Sequence, residues 1–200
     1  MATLASDTFT DADNTDPTSR VPDVGPAPTS TSANYFVDTN KLANTADSIP
    51  LTPLVYDAGT ANVDVSADVT SASTSGVSWS LAVLVFRYVD DNNFFQVQLY
   101  SGEVQVYKWV AGSPSLVDSA SFSVADNVTY NIQAVVNGNS IEILIDAVSY
   151  IVTSDSTFNT ATKHGVNIAQ FAPPVSGTTV DNFLVAEIPP PAGAAMLMML

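Results

Sequence analysis

Residues 81–110 read LAVLVFRYVDDNNFFQVQLYSGEVQVYKWV. At the start of this stretch Leu81, Val83 and Val85 alternate with Ala82, Leu84 and Phe86, so both faces of an extended chain are apolar. That pattern places a strand in the interior of a layered β structure rather than at its edge. Further on, Phe95, Val97 and Leu99 project to one side and Gln96, Gln98 and Tyr100 to the other. In the last segment Val104, Val106 and Val110 are expected to face the core, with Gln105, Tyr107 and Trp109 facing away. A side-chain period of two is the mark of a strand. Asp90–Asn93 and Ser101-Gly102 supply the residue types that tolerate positive φ, and so predict tight turns. The stretch is therefore a three-stranded meander, and its second and third strands share a face of Gln, Tyr and Trp.

Short strands are predicted on either side. Residues 5–10 (ASDTFT) form a first strand, and 35–37 with 41–42 a small hairpin around Asp38-Thr39-Asn40. Val63, Val65, Ala67 and Val69 alternate with Asn62, Asp64, Ser66 and Asp68, which predicts a sheet with one wet face. After a loop over Ser71–Gly76 and the meander come a strand over 116–122 and a hairpin. Tyr130, Ile132, Ala134 and Val136 lead into Asn137-Gly138-Asn139, and Ile141, Ile143 and Ile145 lead out. Asp146-Ala147 turns the chain into a strand over 148–153; a polar loop over 154–162 and strands over 165–169 and 179–186 follow. Two stretches break the pattern. Residues 11–34 carry four prolines between Pro17 and Pro28, which predicts a long loop or an arm; Pro50 and Pro53 interrupt the chain again. No stretch of ten residues has a helical period. Strands at this spacing predict an all-β, antiparallel two-sheet β-sandwich over residues 1–187, with Phe86, Phe95, Val97, Leu99, Val106, Ile132, Ile143 and Ile145 buried. Residues 188–200 stand apart, as a triple-proline exit followed by the uncharged AGAAMLMML.

Composition narrows the function classes. The 200 residues carry 20 acidic and 5 basic side chains, a net charge of −15, with 46% hydrophobic and only 12% charged residues. Such a surface opposes nucleic acid, whose binding depends on Lys and Arg releasing phosphate counterions, and opposes anionic lipid. There is no cysteine, hence no disulfide framework and no thiolate metal site, which fits assembly in a reducing cytoplasm. MATLASDTF has neither a positive nor an apolar region, so no secretion signal is expected, and no stretch reaches the ~18 apolar residues of a membrane helix.

Four segments carry a family resemblance: SDTFT at 6–10, VFRYVDDNNFFQVQL at 85–99, VQVYKWVAG at 104–112 and DNFLV at 181–185. They resemble the concanavalin A-like (LamG/jelly-roll) modules of tailed-bacteriophage virion proteins and bacterial surface proteins, over Ala5 to Ala186. The resemblance implies a jelly-roll sandwich. It says less about function, because lectins, glycanases and scaffolds share that fold. Residues 11–60 depart from it, being proline-rich where a tryptophan-containing strand is usual, and the tail lies outside it. The glycanases of this superfamily carry a Glu-x-Asp-x-x-Glu run; Glu103, Glu142 and Glu187 all lack that context.

Candidate chemistry is sparse. Glu142 and Asp146 share a strand face but flank a turn, so paired-carboxylate catalysis is not expected. His164 is alone and is expected at the surface beside Lys163. Asp11, Asp13, Asn14 and Asp16 cluster oxygen ligands without the glycine and glutamate of a calcium loop; solvated loop carboxylates are expected, and no metal or cofactor. Asp7 and Asp181 become neighbours if the first and last strands pair. Arg87, inside an apolar strand, needs a partner, and Asp90 or Asp91 is the expected one. The best binding candidate is the aromatic and amide face: Gln98, Tyr100, Gln105, Tyr107 and Trp109. Sugars are held by such mixtures, although Tyr and Trp also favour protein interfaces. The tail residues Met196, Leu197, Met198, Met199 and Leu200 form a candidate docking segment, because flexible apolar side chains fill irregular grooves.

From these features a non-enzymatic virion protein is expected, a capsid-decoration or tail-fibre component docking on other virion proteins or sister subunits as an oligomer. It would be assembled in the host cytoplasm and exposed on the particle, without nucleic acid or membrane as partner. The alternative is a carbohydrate-binding module or adhesin that recognises a surface glycan through the aromatic face.

Overall fold

The computed structural model describes residues 1–30, 35–44, 52–70, 82–100, 102–125, 127–168 and 178–188. The loop expected over Ser71–Gly76 and the docking segment Met196–Leu200 lie outside these. Fourteen strands are described: β1 (Thr3–Asp7), β2 (Tyr35–Asp38), β3 (Lys41–Asn44), β4 (Leu54–Asp57), β5 (Val63–Thr70), β6 (Ala82–Asp90), β7 (Asn93–Tyr100), β8 (Glu103–Val110), β9 (Ser113–Ser121), β10 (Thr129–Asn137), β11 (Ser140–Ile145), β12 (Val148–Ser154), β13 (Lys163–Ile168) and β14 (Thr179–Glu187).

They form two antiparallel sheets. One has the order β12-β11-β10-β5-β14-β3-β2, with β1 also on β14; the other has six strands in the order β4-β13-β6-β7-β8-β9. Period-two patterning drives both. Val63, Val65, Ala67 and Val69 of β5 turn inward to meet Leu84, Phe86, Phe95, Val97 and Leu99 in one continuous core. All eight residues expected in the core are buried. The turns use the expected chemistry: Thr39 and Asn40, Gly138, and Asp146 with Ala147 all adopt positive φ. β1 and β14 pair, with Asp7 opposite Phe183.

Several expectations are corrected. β4 was not foreseen, because Leu54–Asp57 follows two prolines and is apolar without alternation. It lies so close to β13 that a Cβ on Gly165 would meet the Leu54 carbonyl oxygen at 2.0 Å, so only glycine fits there. Val110 is 43% exposed rather than in the core. Residues 11–30 are not a free arm. Ser6 and Val24 exchange backbone hydrogen bonds, and Thr29 does the same with Val55. Buried Asp7 fastens this loop: one carboxylate oxygen is bonded to the Arg20 guanidinium and accepts from the Phe9 N–H at 2.9 Å, and the other accepts from the Tyr56 hydroxyl at 2.7 Å. The acidic cluster serves the same loop: Asp11 pairs with Arg20, Asp13 accepts from Thr39 N, and Asp16 caps a single 3-10 turn.

Arg87 and His164 differ most from expectation. Arg87 sits at a bulge in β6 with φ 51°, which turns its side chain into the sandwich instead of toward Asp90. It is fully buried over the Phe95 ring, at 5.7 Å from the centroid. Its guanidinium donates to the Asp155 carbonyl at 2.7 Å and to the Gly138 carbonyl. The six-stranded sheet is thereby tied to the β10–β11 turn and to the loop after β12. Lys108 reinforces the tie through the Asp155 carboxylate, at 2.7 Å. His164 is also fully buried, with Nε2 3.2 Å from the Thr60 carbonyl and Nδ1 3.5 Å from the Arg87 N–H. A neutral ring donating from Nε2 and accepting at Nδ1 satisfies both contacts. Protonation would remove the acceptor and place a second cation beside Arg87.

Two outcomes follow. Truncating Phe95 to Ala leaves a core cavity and removes the ring beneath Arg87, and should cost ~3–5 kcal/mol in urea unfolding; a loss below ~1 kcal/mol would contradict this packing. Burial holds His164 down at about 4, from an ordinary 6.5. Between those values the unfolded chain binds the proton and the folded chain does not, so stability falls as pH drops from 7 toward 5, by about 2 kcal/mol for this one group. His164→Gln should flatten that part of the pH–stability curve; an unchanged slope would rule out the neutral buried ring.

Candidate functional site

The outer face of the six-stranded sheet carries the aromatic and amide side chains. Their placement follows from the register of β7 against β8. With Val97 opposite Val106 in the core, the alternate pairs face outward: Phe94 beside Trp109, Gln96 beside Tyr107, Gln98 beside Gln105, and Tyr100 beside Glu103. β9 extends these rows with Pro114, Leu116, Ser119 and Ser121, and β6 places Val85 beside Gln96. The face therefore grades from an aromatic and aliphatic end to an amide, hydroxyl and carboxylate end within four rows.

The apolar end is built on packing. Val83, Val85 and Phe94 form a small buried cluster, with Tyr88 and Trp109 packed against it. Trp109 stacks on Phe94, with centroids 5.8 Å apart and planes at 15°. Its indole Nε1 is buried and has no hydrogen-bond partner among the described residues. Trp109 is thus anchored to the sheet and does not stand free as a platform. Tyr107, half-buried in the adjoining row, is where the aromatic end meets the amides.

The polar end is a chain of hydrogen bonds. Gln96 Nε2 donates to Gln98 Oε1 at 3.0 Å, Gln98 Nε2 to Gln105 Oε1 at 2.9 Å, and Gln105 Nε2 to Glu103 Oε2 at 2.8 Å. Gln96 and Gln105 are buried, and Gln98 and Glu103 are half-buried. Of the residues singled out from sequence, Gln98 and Gln105 are in direct contact and Tyr107, Trp109 and Tyr100 occupy the same two strands. Phe94, Gln96 and Glu103 complete the face and were not in the predicted set. Strand alternation assigns Gln96 outward; what was missing was the link from Gln105 to Glu103 at i−2 on its strand.

Charge on this face is one-sided. The β7–β9 part has no basic side chain, since Lys108 projects to the core side, level with Phe95. Lys163 lies two strands away from β7 on β13, opposite Asp57 of β4. Elsewhere, Glu142 faces Val152 and Asp146 occupies a positive-φ turn, so those two carboxylates do not form a cleft pair. Among the described residues no group of three or more His, Asp or Glu is arranged to hold a metal ion.

No family model and no curated protein matches the chain. Solved structures do resemble it. The carbohydrate-binding module CBM66 from Bacillus subtilis matches with TM-score 0.61 and 17% identity, over 78% of this chain and 91% of that one. The GH43 protein BlXynB from Bacillus licheniformis matches with TM-score 0.57 and 14% identity, over 90% of this chain but only 38% of its own. The galectin LEC-6 of Caenorhabditis elegans matches more loosely, with TM-score 0.49 and 14% identity over 70% of this chain. At such identities the likeness is one of fold, and the chain is a concanavalin A-like, jelly-roll β-sandwich.

Proposed function

We propose that this protein is a carbohydrate-binding module that takes a glycan on the outer face of its six-stranded sheet. The observation that carries this reading is the hydrogen-bonded amide chain running directly beside an aromatic end on β7 and β8. A sugar has apolar C–H faces and hydroxyls that both donate and accept. The first suit rings such as that of Tyr107; the second suit amides, which carry both a donor and an acceptor. The fold supports the reading, because the module from Bacillus subtilis that shares it is a carbohydrate-binding one. No grouping on this face resembles a catalytic carboxylate pair, so binding without turnover is the activity proposed.

The virion-structural reading rests on a sequence resemblance and on the tail Met196–Leu200, which lies outside the described residues. The similar structures favour the glycan reading over it.

Binding should be measured on a glycan array and then by calorimetry on the best ligand. Tyr107→Ala and Gln98→Ala are each expected to weaken binding at least ~10-fold, about 1.4 kcal/mol, with both variants folded. Gln98→Ala should also lose about 1 kcal/mol of stability, because the buried Gln96 and Gln105 amides lose their partner. Trp109→Ala should lose about 2 kcal/mol of stability, because the indole stacks on Phe94. Full glycan affinity in Tyr107→Ala and Gln98→Ala would remove this face as the site.

A further inference from the structure

We infer that Glu103 fixes the direction of the amide chain and thereby makes this face selective for uncharged glycans over acidic ones. The inference rests on the carbohydrate-binding reading and adds the ligand class. An ionised carboxylate only accepts hydrogen bonds. Gln105 must therefore turn its NH2 group toward Glu103 and its oxygen toward Gln98. Gln98 must then turn its NH2 group toward Gln105, and its oxygen receives Gln96. One carboxylate thus sets the orientation of three amides that could otherwise each flip.

The orientation decides what a ligand meets. The half-buried members are the ones within a ligand's reach: the acceptor oxygens of Glu103 at the end of the chain, and the second N–H of Gln98, set by Glu103 through the buried Gln105. A sugar hydroxyl can answer both kinds of group. A uronate or sulfate can only accept, carries the charge of Glu103, and finds no Lys or Arg on the β7–β9 part of the face. Selectivity of this kind comes from the repulsive element as much as from the attractive one. It is local, and so differs from the long-range repulsion of a chain with net charge −15, which salt screens.

The test uses the full chain, a panel of neutral hexose oligosaccharides, and the same compounds with C6 oxidised to a carboxylate. Affinities are compared for the natural protein, Glu103→Gln and Glu103→Asp at about 0.15 M and about 0.5 M salt. The natural protein should prefer the neutral member of the best-bound pair by at least ~10-fold at both salt concentrations. Glu103→Gln removes the charge and frees the amides to flip, so the ratio should fall toward one. Glu103→Asp keeps the charge but is too short to reach the Gln105 amide, so the preference should persist while neutral-glycan affinity drops several-fold. Equal binding of both members by the natural protein, or an unchanged ratio in Glu103→Gln, would overturn the inference and leave glycan binding standing. Binding of neither member by the natural protein would overturn the carbohydrate reading together with it.

Discussion

The register of β7 against β8 is the constraint on which everything else depends. Val97 opposite Val106 and Gln98 opposite Gln105 are consecutive pairs of one ladder. Slipping one strand by a single residue would send an amide into the core and a valine to the surface. The core forbids that slip, because Phe95, Val97, Leu99, Val104 and Val106 are all buried against the opposing sheet. The outer face is therefore held by the hydrophobic effect acting on the inner one. Its polar groups do not have to hold themselves in place, and they can be arranged for a ligand.

The ends of the sandwich are held differently. At one end a buried arginine replaces an apolar contact, with its guanidinium donating to two backbone carbonyls and lying over Phe95. Bonding to carbonyls avoids the desolvation of a second charge that a buried carboxylate partner would require. Around Asp7 the charges are paired, and the pairing anchors the 8–30 loop against β1 and β4. Both devices close the structure around the core without placing a cation on the β7–β9 face.

The sheet strands were legible because alternation is a local signal; β5 and β11 show it without interruption, and β7 and β10 over most of their length. β4 was not, because three apolar residues and an aspartate behind two prolines lack a period, and its pairing with β13 depends on the close approach that Gly165 permits on a distant segment. The settings of Arg87 and His164 are hidden from the sequence for a related reason. The nearest carboxylates in sequence seemed the natural partners for Arg87, but a positive-φ bulge reversed the side chain, and its carbonyl partners lie 51 and 68 residues away. For the candidate site, sequence supplied the outward Gln, Tyr and Trp residues. It did not supply the direction of the amide chain, which depends on a carboxylate that reads in sequence as an ordinary turn-flanking glutamate.

The chain is an acidic β-sandwich with an amphipathic outer face on β7–β9, and the proposal is that this face takes a ligand with both C–H surface and hydroxyls. The most direct measurement is a backbone and side-chain amide NMR titration of the full chain with the neutral oligosaccharide it binds best. The account predicts that the largest shifts fall on the side-chain amides of Gln98 and Gln105 and on the β7 and β8 residues around Tyr107. Shifts confined to the loops at the ends of the sandwich, or to the β12–β11–β10 side of the other sheet, would contradict it.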